Sequence, residues 1–215
     1  MWTLLFAAAG AEPGPWPDDL ADLPPSVALP RGEAPSCRAL DAAAFVQLPA
    51  YDDAFELLRP DRAWCTTWLA DALAHAARHV QTQVPEADPV HIGDLSAARG
   101  GALPPHVLHQ VGRDADVALW QLGGRQGDSF RAMTPSTLDL ELTWLFIEGL
   151  IETGRVSLLL LDQRLIRAVK DYVVHNDLLA AGDLRWLFGS GNIPGVLRAA
   201  GRHADHLHVQ VSCQP

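Results

Sequence analysis

The sequence predicts an α+β fold in which a small, largely antiparallel central sheet is flanked by helices. Two observations carry this expectation. Apolar residues recur at three and four in some segments and alternate in others, and the two kinds of segment are mixed along the chain without internal repeats. Residues 12–36 hold Pro13, Pro15, Pro17, Pro24, Pro25, Pro30 and Pro35 among acids and small residues. They read as an extended linker or surface strap. Before them, residues 1–11 contain the apolar run Trp2 to Ala9 followed by Ala9-Gly10-Ala11, an A-x-A-like cleavage signal without a positive n-region. The reading is a possible signal segment at 1–11, a linker at 12–36 and one folded domain at 37–215.

Within that domain, Trp64 to Val84 places Trp68, Leu69, Ala72, Leu73, Ala76 and Val80 on one helical stripe. His75 and His79 lie on this helix at i, i+4. With no third ligand nearby in sequence, they read as a solvated helix face. Val90 to Asp94 is a short strand that enters a loop from Ser96 to Pro105, where Gly100 and Gly101 permit backbone conformations closed to other residues. Asp116 to Trp120 alternates as a central strand, and Leu138 to Glu152 is a second helix. Ser157 to Leu161 is a buried strand, Gln163 to about Val174 a third helix, and Leu207 to Val211 the strand that closes the sheet.

Composition excludes several classes of function. The chain has 215 residues, 48% hydrophobic and 20% charged, which suits one domain with a sizeable core. Its net charge of −10 and single lysine, Lys170, argue against nucleic acid, which needs clustered cations. One lysine also leaves little room for Schiff-base or Ser-Lys chemistry, and no S-x-x-K motif is present. Ser190-Gly191-Asn192 reads as a turn. No segment has the roughly 18–20 uninterrupted apolar residues that span a bilayer. Cys37, Cys65 and Cys213 have no C-x-x-C spacing. In an oxidising compartment one pair could close, with Cys37 to Cys213 tying the start of the domain to its end.

The chemistry concentrates in two distant stretches, His106-Val-Leu-His109-Gln-Val-Gly-Arg-Asp114-Ala-Asp116 and Asp205-His206-Leu-His208-Val-Gln-Val211. Five of the nine histidines, His106, His109, His203, His206 and His208, lie in or beside them. Strand alternation puts His206 and His208 on one face. His109 and Asp116 add an imidazole and a carboxylate, both good ligands for a borderline-soft divalent ion. Three protein ligands with an open fourth position make the catalytic rather than the structural zinc pattern.

Ile92-Gly93-Asp94-Leu95-Ser96, Arg99-Gly100-Gly101, His106-x-x-His109-Gln110-x-Gly112-Arg113-Asp114-Ala115-Asp116 and Asp205-His206-x-His208-Val209 together resemble the penicillin-insensitive murein endopeptidases. These belong to a wider group of zinc peptidases with lysostaphin-type enzymes, D-Ala-D-Ala carboxypeptidases and the hedgehog fold. The resemblance implies one zinc ion per chain, bound by His109, Asp116 and His208, with His106 as second-choice ligand. It implies that His206 is a catalytic histidine beside the attacking water, and that His106 and His203 line the site and polarise substrate or stabilise the oxyanion. Asp114 and Asp205 become candidates for orienting imidazoles through their outer nitrogens.

The implied activity is hydrolysis of the D-alanyl–diaminopimelate cross-link of peptidoglycan in the periplasm or outside the cell. D,D- or L,D-carboxypeptidase trimming of stem peptides, or a non-catalytic wall-binding module on the same fold, are the alternatives. The chain departs from the family's pattern at Gln210, where an arginine is expected.

Overall fold

The computed structural model describes residues 45–48 and 51–212. In chain order its strands are β1 (Phe45–Gln47), β2 (Tyr51–Asp52), β3 (Phe55–Leu57), β4 (Trp64–Thr66), β5 (Val90–Ile92), β6 (Asp114–Ala118), β7 (Val156–Leu161), β8 (Leu197–Ala199) and β9 (His206–Val211). The helices are α1 (Thr67–Gln83), α2 (Leu140–Glu152), α3 (Gln163–His175) and α4 (Ala181–Phe188), with a short 3-10 turn at Pro60–Arg62. The segments 1–11 and 12–36, together with Cys37 and Cys213, lie outside the described residues.

Seven strands form the main sheet in the order β2-β3-β5-β6-β9-β7-β8, and β1 pairs with β4 separately. The β2–β3, β5–β6, β6–β9 and β7–β9 pairs are antiparallel, whereas β3–β5 and β7–β8 are parallel. The fold is therefore α+β with a mixed, mostly antiparallel sheet, as expected. The strand predicted over Leu207–Val211 starts one residue earlier and does not close an edge. It lies inside the sheet between β6 and β7.

Helices α1, α2 and α3 each start where a side chain satisfies an orphan backbone N–H. Thr66 Oγ1 accepts from the Leu69 N–H at the head of α1, Asp139 Oδ1 from Leu142 at α2, and Asp162 Oδ1 from Arg164 at α3. The cap at Thr66 corrects the first helix, because Trp64–Thr66 is strand β4 rather than the first helical turn. Asp139 likewise moves the start of α2 from Leu138 to Leu140.

One face of the central strands is wholly apolar. Ala115 and Val117 of β6, Leu207, Val209 and Val211 of β9, and Leu159 and Leu161 of β7 are buried in one core with Leu69, Leu73 and Ala76 of α1 and Phe146, Ile147 and Leu150 of α2. The other face carries Asp114 and Asp116 of β6 beside Gln210, His208 and His206 of β9. The register sets Asp116 opposite His208 and Asp114 opposite Gln210. One-residue slippage would exchange the two faces, so the apolar set fixes where the polar set points.

Two strand expectations need correction. The central strand is Asp114–Ala118, two residues ahead of the predicted Asp116–Trp120, and all five residues are buried. Simple alternation misplaced it because both of its faces are covered, by core on one side and by the polar cluster on the other. β7 is buried only at Leu159 and Leu161, so it is a half-covered strand rather than a fully buried one. In the loop after β5, Gly100 and Gly101 adopt φ of 63° and 84°, as their composition suggested.

One histidine of α1 also differs from expectation. His79 is 17% exposed at its side chain, and both His75 and His79 pair with glutamates of α2. The solvated helix face expected there holds for His75, which is half exposed, but not for the largely covered His79.

Candidate metal centre

The polar face of β6 and β9 meets the loop between β5 and β6 at a compact cluster. Asp116 Oδ1 lies 3.1 Å from His109 Nε2 and 3.0 Å from His208 Nδ1, and those two nitrogens are 3.2 Å apart. His109, Asp116 and His208 are respectively 1%, 2% and 3% exposed. His106 Nδ1 is 3.5 Å from Asp116 Oδ2, and His206 Nε2 is 3.6 Å from Asp116 Oδ1. His203 lies beyond, its ring tilted against that of His206 at 4.7 Å and edge-on to that of His208 at 6.1 Å.

The outer nitrogen of each imidazole is occupied. His109 Nδ1 is 2.8 Å from the Leu95 carbonyl, which can only accept, so the proton is on Nδ1 and the Nε2 lone pair points inward. His208 Nε2 donates to Asp114 Oδ1 at 3.1 Å, which turns Nδ1 toward Asp116. His106 Nε2 donates to Asp94 Oδ2 at 2.8 Å, His206 Nδ1 to Asp205 Oδ1 at 2.7 Å, and His203 Nδ1 to the Gly201 carbonyl at 2.7 Å. Imidazoles that bind metals are held in this way, with the second nitrogen donating to a carboxylate or carbonyl.

Asp94 is itself anchored by Arg59 and Arg62, whose Nη1 atoms lie 2.9 and 3.1 Å from its Oδ2. Gln210 donates to Asp114 Oδ1 at 2.7 Å. The glutamine in the position where an arginine was expected thus braces the carboxylate behind His208. Phe130 stacks on His206 with ring centroids 5.3 Å apart and planes 19° from parallel. Gly93 makes room for it, because a Cβ at residue 93 would collide with the Phe130 ring.

Electrostatics favour a cation at the centre. Burial alone would raise the Asp116 carboxyl, but the His109 and His208 imidazoles packed against it hold it well below the usual carboxylate range. Burial also opposes charging His208, yet Asp114 and Asp116 outweigh it and push that imidazole up to about 9. Burial is the leading influence on His203 and lowers its pKa, favouring the neutral ring. A carboxylate kept ionised beneath converging lone pairs demands positive charge, whether a proton or a metal ion.

The donor set fits zinc. Ligand atoms around a tetrahedral ion with bonds of about 2.0–2.1 Å sit roughly 3.3–3.4 Å apart, close to the observed separations. Among the described residues, His106, His109 and Asp116 form a group with ligand atoms mutually within 4.8 Å. The His208 Nδ1 nitrogen adds a fourth donor, 3.2 Å from His109 Nε2 and 3.0 Å from Asp116 Oδ1.

Residues 39–139 match the sequence profile of the penicillin-insensitive murein endopeptidases. Over that span the chain is similar to this family. The family is one of peptidases acting on murein, and the matched residues include His106, His109, Asp114 and Asp116. No curated protein sequence matches the chain significantly. The matched span ends before His203, Asp205, His206 and His208, and the β6–β9 pairing brings these into the same cluster.

All eight residues singled out from sequence converge: His106, His109, Asp114, Asp116, His203, Asp205, His206 and His208. Sequence reasoning missed Asp94, Gln210 and Phe130 as members of the site. Asp94 lay in a quoted motif segment without a role, and Gln210 shares the face of His206 and His208 by alternation. Phe130 had no sequence signal, since it comes from an irregular segment between β6 and α2.

Proposed function

We propose that the chain is a zinc-dependent endopeptidase that hydrolyses peptide cross-links of peptidoglycan at the D-alanyl–diaminopimelate bond, in the periplasm or outside the cell. The supporting observation is the triangle of ligand atoms from His109, Asp116 and His208, with edges of 3.0–3.2 Å, beside the inward nitrogen of His206. His106 stands as the alternative or additional ligand. When bound there, zinc supplies the Lewis acidity that activates water and polarises a carbonyl.

The chain's own residues supply the rest. Asp205 holds the Nδ1 proton of His206, so its Nε2 is free to take a proton from the attacking water and return it to the leaving amine. His203, neutral and donating through Nδ1 to Gly201, presents Nε2 as an acceptor suited to a substrate N–H. Asp114 and Asp94 fix the imidazoles of His208 and His106. Val107, 78% exposed between His106 and His109, offers an apolar contact for the peptide stem. None of these roles uses a serine nucleophile, so a β-lactam has nothing to acylate here.

The test is digestion of purified cross-linked peptidoglycan with and without a chelator, followed by mass analysis of the fragments. Cross-linked dimers should become monomers, the chelator should stop this, and added zinc should restore it. Release of terminal D-alanine with dimers left intact would replace this reading with carboxypeptidase action. Cleavage indifferent to chelation would remove the metal from it.

A further inference from the structure

Away from the metal centre, α1 and α2 cross with Gly149 against Ala76. A Cβ at residue 149 would sit 2.8 Å from Ala76 Cα and 3.0 Å from His79 Cβ, so the absent side chain is what lets the helices come this close. Beside that contact four metal-ligating side chains meet. His75 and His79 are one turn apart on α1, Glu148 and Glu152 one turn apart on α2, and each pair therefore shares a face. Glu152 Oε2 is 3.0 Å from His75 Nε2 and 3.6 Å from His79 Nδ1, so one carboxylate oxygen contacts two imidazoles. His79 Nε2 is 3.2 Å from Glu148 Oε2. The i, i+4 histidine pair has no third ligand in its own stretch of sequence. The fold brings it two.

We propose that His75, His79, Glu148 and Glu152 form a second metal site, bridging α1 and α2, for a borderline divalent transition ion such as Zn2+ or Ni2+. Imidazole nitrogens select such ions over Mg2+ and Ca2+, which prefer all-oxygen shells. Two carboxylates supply the compensating charge. The helices beneath are held by Ala72, Ala76, Ile147 and Leu150, all fully buried, so the four Cα positions are fixed. The side chains above are open to solvent, 51% exposed at His75 and 39% at Glu152, which gives an ion an entry path. Glu148 and Glu152 also line a cavity of about 320 Å³ with Trp144 and Trp186.

This site differs in kind from the centre on β6 and β9. There the ligand atoms already converge, whereas here the contacts are pairwise. An entering ion displaces the protons shared between imidazole and carboxylate, and the exposed His75 and Glu152 side chains swing in by rotamer changes alone. The site therefore fills at a higher free metal concentration than the catalytic one. Because it binds only the folded arrangement of two helices, filling it staples α1 to α2 and raises resistance to unfolding.

The experiment counts Zn2+ per chain on the full-length protein equilibrated with micromolar Zn2+, and follows thermal unfolding over the same titration. The wild type should bind one ion more than the H75A/H79A double variant and show a zinc-dependent rise in midpoint that the double variant lacks. Glu152→Gln, which keeps a hydrogen-bonding group of the same size, should lose the same ion without loss of fold. Peptidoglycan hydrolysis by both variants should match the wild type, since neither touches the centre on β6 and β9. Equal zinc counts in wild type and H75A/H79A would overturn the proposal. An extra ion that persists in both variants would overturn it equally. The comparison depends on the difference between wild type and variants, so it stands apart from whether the catalytic centre itself takes zinc.

Discussion

Asp116 and His208 face each other across the β6–β9 pair, and the Oδ1 of one lies 3.0 Å from the Nδ1 of the other. Ninety-two residues of chain separate them, and sheet register alone brings them together. Replacing either with alanine should remove the metal and the activity in one stroke, because each supplies one corner of a three-atom triangle. Zinc content by mass spectrometry and fragment release from peptidoglycan should fall in parallel. His206→Ala should behave differently, keeping most of the metal while slowing hydrolysis roughly 10²–10⁴-fold, the usual range for a lost proton-transfer group. A His206 variant that cleaves at the wild-type rate would remove that residue from the mechanism.

The carboxylates behind the imidazoles yield a second expectation. Asp114 holds Nε2 of His208, and Asp94 holds Nε2 of His106. Asp114→Ala should weaken zinc binding about 10–100-fold, the range seen when outer partners of ligating histidines are lost. Asp94→Ala should have a smaller effect if His106 lies outside the first coordination shell and a comparable one if it lies within. Competition against a chromophoric chelator reads both. Indifference of zinc affinity to Asp114→Ala would show that His208 needs no outer brace.

Much of this site was legible before any coordinates, and the reason is geometric. His206 and His208 are two apart on a strand, and their shared face follows from the pleat. The apolar residues Leu207, Val209 and Val211 report which face that is. His109 and Asp116 were legible as donor types, but their approach to β9 depends on a strand order that local periodicity does not encode. The strand at Asp114–Ala118 was displaced in the reading because its polar residues are as buried as its apolar ones, and alternation of exposure is then lost. Phe130 and Asp94 act through long-range contacts with no local pattern. The same limit hid the glutamates opposite His75 and His79, since the partner helix begins more than sixty residues later.

Gly93 and Phe130 should show strong energetic coupling. The Phe130 ring occupies the space where a side chain at residue 93 would go and stacks on His206. Gly93→Ala alone should destabilise the protein by about 1–3 kcal/mol, as overpacking commonly does. In a Phe130→Ala background most of that cost should vanish, a non-additivity expected only for residues in contact. Phe130→Ala by itself should lower kcat through a less restrained His206 while leaving zinc content unchanged. Denaturant midpoints for the four proteins of the cycle check the coupling, and additive effects would contradict the packing described.

The buried thiol of Cys65 gives a chemical readout of native packing. Burial is the main influence, reinforced by the negative charge of Asp71, and together they push the thiol far above its ordinary range. Because the thiolate is the reactive form, Cys65 should resist iodoacetamide at pH 8 in the native protein and react once denaturant unfolds it. Peptide mapping distinguishes it from Cys37 and Cys213. Rapid native labelling at Cys65 would mean that β4 opens far more readily than its fully buried environment implies.

Stability should carry a pH signature from the cap of α3. Asp162 Oδ1 accepts from the Arg164 backbone N–H at 2.9 Å and from its Nε at 3.0 Å. The Arg164 side chain, then its backbone N–H, holds the Asp162 carboxyl below its ordinary value. A depressed folded-state pKa means that the unfolded chain takes up the proton first as acidity rises. The cap's contribution is therefore complete above the unfolded value, near 3.9, and disappears as pH falls through the lower folded value. Asp162→Ala should cost roughly 1 kcal/mol at neutral pH, the usual cost of losing a helix cap. Urea midpoints of wild type and variant should converge only at the acid end of the range. A gap that stays constant down through the carboxylate range would mean that the cap acts through shape rather than charge.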